Sequence, residues 1–473
     1  MLAQEDSSWA LNEMGAIELG DERLNRRVVQ VLKQLGDKPT PSIPTACKGW
    51  AETLAAYRLF DNDKVTMEKV LAAHEQATLV RIGQQPVVLC IEDTTEVDYS
   101  DKKETKGLGP LTQKARHGLL LHPTLAVTPD RVPLGCLRGL ARTRDPKLHG
   151  KKKERSRAIE EKESFRWIEG YRNVSKLAAD LPQTQLVYVA DRESDIYDLF
   201  VEAQTVQGQR ADLLIRAAHD RKLFDGGRLW EQAEKSPVLG TVEFDLAKRD
   251  KRNTRDTRDS RPGRRVVQNL HAVRVQLKAP GRKGEKLPDV EVTVILAKEE
   301  NPPSGMDPVD WMLLTTRRVT TFDEAAQMMQ WYLCRWQIEV FFHILKNGCK
   351  IEKLQLEHVD RLKPAIALYM IIAWRVLYLT MLGRKCPDLS CDAVFDTEEW
   401  QAVYIVTKRA HPPKQPPCLD EMVKMIASYG GYLNRKGDGE PGPKTLWVGL
   451  QRIRDFVLGI KAQKELQEWK TCV

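Results

Sequence analysis

The chain has no paired cysteines with which to staple a small fold. Its nine cysteines are scattered, and the closest two, Cys386 and Cys391, have no matching Cys/His pair to complete a zinc site. That excludes a disulfide scaffold and predicts reduced, mostly buried thiols in a reducing compartment. A membrane span is missing too, since no run approaches the roughly 20 apolar residues it needs. The greasiest stretch, Ala365 to Leu382, is interrupted by Arg375 and reads as a buried helix of a soluble fold. The N-terminus, Met-Leu-Ala-Gln-Glu-Asp, lacks the basic region and apolar core of a signal peptide, so a cytoplasmic protein is expected. Internal repeats and low-complexity tails are absent as well. Charge is not extreme: 74 basic against 66 acidic residues leave +8, which does not by itself prove a nucleic-acid partner. What remains is 473 residues with 42% hydrophobic content, enough for two or three domains with real cores.

Residues 1–65 read as helical. Leu24, Val28, Val31, Leu32 and Leu35 recur at helical spacing, with Asn25, Arg26, Arg27 and Lys33 between them. A Pro-rich turn follows, then a helix from about Cys47 to Phe60 that carries Tyr57 and Arg58. Small helical pairs with basic faces suit DNA docking, and they also suit an ordinary packing layer. From residue 66 the pattern becomes mixed α/β. Apolar runs predict strands over 86–93, 118–127 and 132–137, with the turn chemistry of Thr128-Pro-Asp-Arg131 between the last two. A helix over 158–180, a strand over 185–191, a helix over 195–203 and a strand over 212–217 complete an α/β, RNase H-like layout. Residues 218–310 interrupt it with short strands, clearest at 240–245, 266–277 and 290–297, and with a basic run over 248–265. That run reads as a solvated loop or as an arm for phosphates. A strand over 311–316 and a helix over 321–346 return to the core. The chain is helical again beyond about 383, and its final helix, 444–470, has the mixed composition of a partner-facing surface. The expected divisions are therefore a helical region (1–65), a mixed α/β region (66–382, with 218–310 as an inserted β subdomain) and a second helical region (383–473).

Three acids stand out by position. Asp93 and Asp191 each close a buried strand, where α/β folds place ligands. The first and fourth strands can be neighbours, which would bring both carboxylates to one sheet edge. The third acid, Glu339, lies on the helix over 321–346. At about 100° per residue, Tyr332, Arg335, Glu339, His343 and Lys346 fall within an arc of about 80° on an otherwise apolar helix. Two or three carboxylates suit hard divalent ions, which keep water and phosphate oxygens as further ligands. The bland readings are a turn cap for each Asp and a salt-bridged face for the stripe. The order strand-Asp, strand-Asp, helix-Glu, with cations flanking the last, favours the chemical reading.

The spacing Tyr332-x2-Arg335-x3-Glu339-x6-Lys346 matches the Y-REK signature of the insertion-sequence-four family of DDE transposases at every position. Ile91-Glu-Asp-Thr-Thr95 and Asp191-Arg-Glu-Ser-Asp-Ile196 resemble the surroundings of that family's two catalytic aspartates. The chain resembles the transposon-five branch most, from Tyr57-Arg58 through Glu161-Lys-Glu-Ser164 to Asn301-Pro-Pro303 and Trp311; His122 and Trp336 also match family positions.

The resemblance implies a cut-and-paste transposase that cleaves transposon ends through a hairpin and joins them to target DNA. Asp93, Asp191 and Glu339 would hold two Mg²⁺ ions, with Mn²⁺ able to substitute. Tyr332, Arg335, Lys346 and Arg216 would hold end phosphates, and Trp311 would stack on a flipped base. The partners would be duplex DNA with terminal inverted repeats, target DNA, and a second copy of the chain, in the nucleoid of a bacterial cytoplasm. His343 departs from the compared branch, which has a basic residue there. Arg26, Arg27 and Arg58 are candidate DNA contacts in the loosely matching N-terminal region. A structure-selective RNase H-like nuclease, or a non-catalytic DNA-binding regulator, would share parts of this pattern.

Overall fold

The computed structural model describes residues 8–47, 49–113, 115–146, 158–205, 208–246, 262–282 and 286–471, with side chains described to 467. Most of the basic run, 247–261, lies outside the described residues. Among the described residues eleven strands are formed: Val87–Glu92 (β1), Thr95–Asp98 (β2), Gly109–Pro110 (β3), His117–Val127 (β4), Pro133–Arg142 (β5), Gln185–Ala190 (β6), Asp212–Arg216 (β7), Val238–Leu246 (β8), Arg264–Leu277 (β9), Val290–Glu299 (β10) and Trp311–Thr315 (β11). The chain divides into two units, each discontinuous in sequence. The first holds Met1–Gln85, Asp93–Lys152 and Trp336–Val473; the second holds Pro86–Glu92 and Lys153–Arg335.

The second unit is a mixed sheet in the order β1-β6-β7-β11-β10-β9-β8. Its β1, β6 and β7 are parallel, and the rest are antiparallel. The parallel strands are almost wholly apolar and buried, as strands covered on both faces must be. The first and fourth of the strands expected from the sequence, now β1 and β6, do pair, with Ile91 in register with Val189. The strands of the 218–310 segment extend this same sheet, because β10 pairs with β11.

In the first unit, β4 pairs antiparallel with β2, β3 and β5. The Thr128–Arg131 turn closes the β4–β5 hairpin with Arg131 N donating to Thr128 O at 2.8 Å. The helix Val359–Lys385 runs through this unit's core. It is long and apolar enough to cross a membrane, yet 94% of its most apolar window is buried in the protein. Arg375 within it is buried too, its guanidinium 4.4 Å from the Trp9 ring and 3.7 Å from Glu399. Six of the eight described cysteines are buried, and none of the eight is in a disulfide.

Several expected helices are corrected. The helix expected from about Cys47 to Phe60 runs over Trp50–Phe60 with Gly49 at its N-cap, and a separate short helix covers Ile43–Cys47. A helix over Met67–Ile82 was not expected; its buried face includes the polar His74 and Thr78 while Val80 is exposed, which blurs the apolar stripe. The helix expected over 158–180 begins only at Phe165, after a short 3-10 turn at Ile159–Glu161. The largest correction falls on 321–346. An α-helix runs over Phe322–Leu333, a second over Trp336–His343, and a π turn over Ile344–Gly348. At the first break Cys334 N donates to Trp331 O and Arg335 N to Tyr332 O, tight three-residue bonds in place of the α-helical ones. At the second, Cys349 N donates to Ile344 O across five residues. Tyr332, Arg335, Glu339, His343 and Lys346 therefore do not stand on one continuous α-helix.

Candidate active site

In the second unit the parallel strands end in step. The β6–β7 register sets Ala190 against Ile215, so Asp191 and Arg216 follow at the same end. Antiparallel β11 brings its first residue, Trp311, to that end as well. The Arg216 guanidinium stands 5.4 Å from the Trp311 ring, and the Tyr332 ring meets Trp311 edge-on at 5.6 Å. Tyr332 is 4% exposed. Burial drives its hydroxyl up to about 12, against the pull of Arg335 and Arg216, so it is a neutral hydrogen-bonding group. Tyr332 thus packs on an aromatic partner and does not share a solvated stripe with Arg335, which is half-buried.

Burial, then the nearby positive charge of Arg192, depress the Arg216 guanidinium, with Arg335 adding to the repulsion and Tyr332 and Asp191 opposing it. Its Nε is buried without a hydrogen-bond partner. Three guanidiniums thus act on one locality that holds the carboxylate of Asp191. Such an excess suits an anion with several oxygens. Arg192 was passed over by sequence reasoning, although it directly follows Asp191. Asp191 also caps the turn Arg192–Ser194, its Oδ1 accepting from Glu193 N at 2.9 Å, as the bland reading supposed. Capping engages one carboxylate oxygen and leaves the group half-exposed. Four residues on, the buried Asp195 accepts from Ala218 N at 2.7 Å, His219 N at 2.9 Å and the Arg221 guanidinium, which pins the loop after Arg216.

The first unit holds the other two acids. Asp93 is half-buried, and its Oδ1 accepts from Thr94 N at 2.7 Å. The Thr94 hydroxyl lies 2.9 Å from Nδ1 of the buried His122, which ties the residue after Asp93 to β4. Glu339 is half-buried in the first turn of the helix Trp336–His343. His343 is exposed, with Asn347 Nδ2 donating to its Nδ1 at 3.0 Å and Trp447 5.6 Å away. Lys346 Nζ donates to the Glu96 carbonyl and stands 3.7 Å from Glu352. Burial lowers the Lys346 ammonium, and Glu352 opposes that shift. Lys346 therefore already has protein partners, and a phosphate would compete with Glu352 for it. Among the N-terminal candidates, Arg27 pairs with Glu52 at 2.8 Å and Arg26 with Glu22 at 3.5 Å, while Arg58 is exposed in the last turn of Trp50–Phe60.

Among the described residues, no group of three or more His, Cys, Asp or Glu side chains forms a metal cage. Magnesium seldom uses an all-protein cage; it takes one or two carboxylates and completes its shell with water and phosphate. The donors offered by Asp93, Asp191 and Glu339 are hard oxygens, which suit such an ion and not a soft metal.

A mixed sheet with an acid directly after each of two paired parallel strands, and a carboxylate on a following helix, is the layout of an RNase H-like DDE recombinase. Residues 172–375 match the transposase DDE domain. Residues 6–65 match a transposase DNA-binding domain, and 371–469 match the transposase Tn5 dimerisation domain. The chain belongs to the Tn5-like DDE transposases. It is a DNA-binding, dimer-forming enzyme that depends on divalent metal to cleave and join DNA.

Proposed function

We propose that this transposase frees transposon ends through a hairpin intermediate and joins them to target DNA, with one catalytic site for every step. The register of β1 against β6 carries the reading. Ile91 lies opposite Val189, and Asp93 and Asp191 are each the second residue beyond that pair, on strands running the same way. That supports a meeting of the two carboxylates, with Glu339 as the third. Divalent ions held by Asp93, Asp191 and Glu339, with Mg²⁺ the natural choice and Mn²⁺ a substitute, would supply an acidified water or hydroxyl and a stabilised leaving oxygen.

The chain's own groups do the rest. Arg216 and Arg335, with Arg192 beside them, hold backbone phosphates of the terminal inverted repeat. Tyr332 supports the Trp311 ring edge-on. Trp311 offers its face to an extruded base, which offsets about 1–3 kcal/mol of the unstacking cost of a sharply bent end. Lys346 exchanges Glu352 for a phosphate when DNA arrives. The sequence of attacks is water on the transferred strand, the freed 3′-hydroxyl on the opposite strand, water on the hairpin, and the 3′-hydroxyl on target DNA. Each is an in-line transfer at phosphorus and needs the same positioning. Two ends call for two protomers, so the assembly acts as a C2 dimer. The domains would be 1–65 for DNA, 66–382 for catalysis and 383–473 for dimerisation, in a protein working at the bacterial nucleoid.

The test is a gel of labelled, end-bearing duplex with the full-length protein and Mg²⁺. Hairpins followed by joined products support the reading. Nicks alone would indicate a structure-selective nuclease, and mobility shifts without cleavage a DNA-binding regulator; either overturns it.

A further inference from the structure

One residue before Asp93, the chain buries a carboxylate completely: Glu92 has 0% exposure. An interior carboxylate is costly unless it is well bonded, so its place at the end of an otherwise apolar strand asks for a role. Tyr188, on the neighbouring strand, is equally buried, and its hydroxyl donates to Glu92 Oε2 at 2.5 Å, the length of a charge-assisted bond. The carbonyl of Trp167 lies 3.1 Å from the same hydroxyl. Cys90 is the register partner of Tyr188, and Glu92 is two residues further on, so the two side chains share one face of the sheet and meet diagonally. Their helix neighbour makes room: a Cβ on Gly170 would fall 2.1 Å from Glu92 Oε2. The helix Phe165–Asp180 therefore seats on this pair.

We propose that Glu92 and Tyr188 are positioning residues that fix the stagger between the two acid-bearing strands at the end where Asp93 and Asp191 emerge. Alternation puts Glu92 and Tyr188 on one face, and Val189 and Asp191 alternate with Tyr188 along β6 so that Asp191 points the other way. The pair can then set strand position without entering the reaction. A stagger error of a fraction of an ångström loosens a metal pair that wants its ions about 3.5–4 Å apart. It leaves the DNA-gripping cations untouched.

This inference rests on the assignment of Asp93 and Asp191 as metal ligands. Tyr188→Phe keeps the ring packed edge-on against Tyr171 at 5.7 Å and removes only the hydroxyl. The measurement is the Mg²⁺ concentration giving half-maximal first-strand cleavage, alongside the Kd for end DNA. Expected are a rise of roughly fivefold or more in that midpoint, partial recovery with Mn²⁺, and a Kd within about twofold of the parent. Glu92→Gln, which still offers Tyr188 an acceptor oxygen, is expected to stay closer to the parent than Glu92→Leu. An unchanged midpoint in Tyr188→Phe, or a loss of DNA affinity matching the loss of cleavage, overturns the proposal. Asp191→Asn separates the two ideas: if it still cleaves, the ligand assignment itself has failed; if it is inactive while Tyr188→Phe behaves as parent, only the positioning role has.

Discussion

Replacing Trp311 by alanine separates a structural role from a chemical one, because the two effects have different sizes and act on different steps. The ring is half-buried, 5.6 Å from Tyr332 at 82° and 5.4 Å from the Arg216 guanidinium. An edge-to-face pair contributes roughly 0.5–1.5 kcal/mol and a partly exposed cation–π contact roughly 0.5–1 kcal/mol. Trp311→Ala should therefore lower stability by about 1–2.5 kcal/mol, a fall in Tm of roughly 2–10 °C. Any loss of active protein reduces every step by the same factor. Loss of a stacked base acts only where the base is extruded, and its value of about 1–3 kcal/mol slows hairpin closure roughly 5- to 150-fold. The assay is single-turnover cleavage of a labelled end duplex well below the variant's Tm, with nick and hairpin resolved on a denaturing gel. Trp311→Phe, which keeps a smaller aromatic face, is expected to lie between the two. Equal slowing of nicking and hairpin closure would refute the stacking role and leave Trp311 as a packing residue.

Glu339→Gln keeps the shape of the side chain and removes its charge, so end binding is expected to persist in a gel shift while cleavage falls below detection; ordinary cutting would refute the metal assignment. Glu13→Gln should cost about 3 kcal/mol near neutral pH, because the 7%-exposed Glu13 bonds both His74 at 2.7 Å and Arg81 at 2.8 Å. Burial would raise the Glu13 carboxyl, but His74 and then Arg81 hold it below its ordinary 4.5, while burial pushes His74 below 6.5 against the pull of Glu13. Both depressed groups stabilise the fold above their unfolded values and lose that contribution as pH falls, His74 from about 6.5 and Glu13 from about 4.5 downward. Melts of the parent should therefore move to lower temperature as pH falls below about 6.5 and again below about 4.5, and a parent that gains stability in that acid range would contradict the sign. Thr321 and Glu324 form a reciprocal cap on the helix that carries Tyr332, so Thr321→Ala should cost about 1 kcal/mol, read as a Tm lower by roughly 2–4 °C.

The parts of the site legible in sequence are those set by local chemistry. β1 and β6 announce themselves as apolar runs stopped by an acid, and their parallel pairing puts the first and fourth strands side by side as expected. What escaped was set by tertiary contact. Neither proline nor glycine stands at Cys334-Arg335, so nothing local marks the turn that splits the Y-REK segment. Gly49 did offer a signal for the break between Ile43–Cys47 and Trp50–Phe60. Glu92 looked like one more acid at a strand end; only the Tyr188 hydroxyl and the missing Cβ of Gly170 distinguish it from Asp93 beside it.

The charges explain why the motif works as a set and reads poorly residue by residue. Arg192 and Arg335 both repel Arg216, Tyr332 and Asp191 oppose them, and Arg216 keeps a buried Nε without a hydrogen-bond partner. A phosphate brought by DNA would relieve that repulsion. A divalent ion on Asp191 alone would add to the positive excess, since a bound cation is often the largest local charge in a site. The same ion arriving with a phosphate is neutralised by it. Metal and DNA should therefore bind with positive coupling, each raising the other's affinity by the same factor. On the proposed reading, the cations flanking the acid disfavour a metal bound without DNA and favour one that arrives with a phosphate.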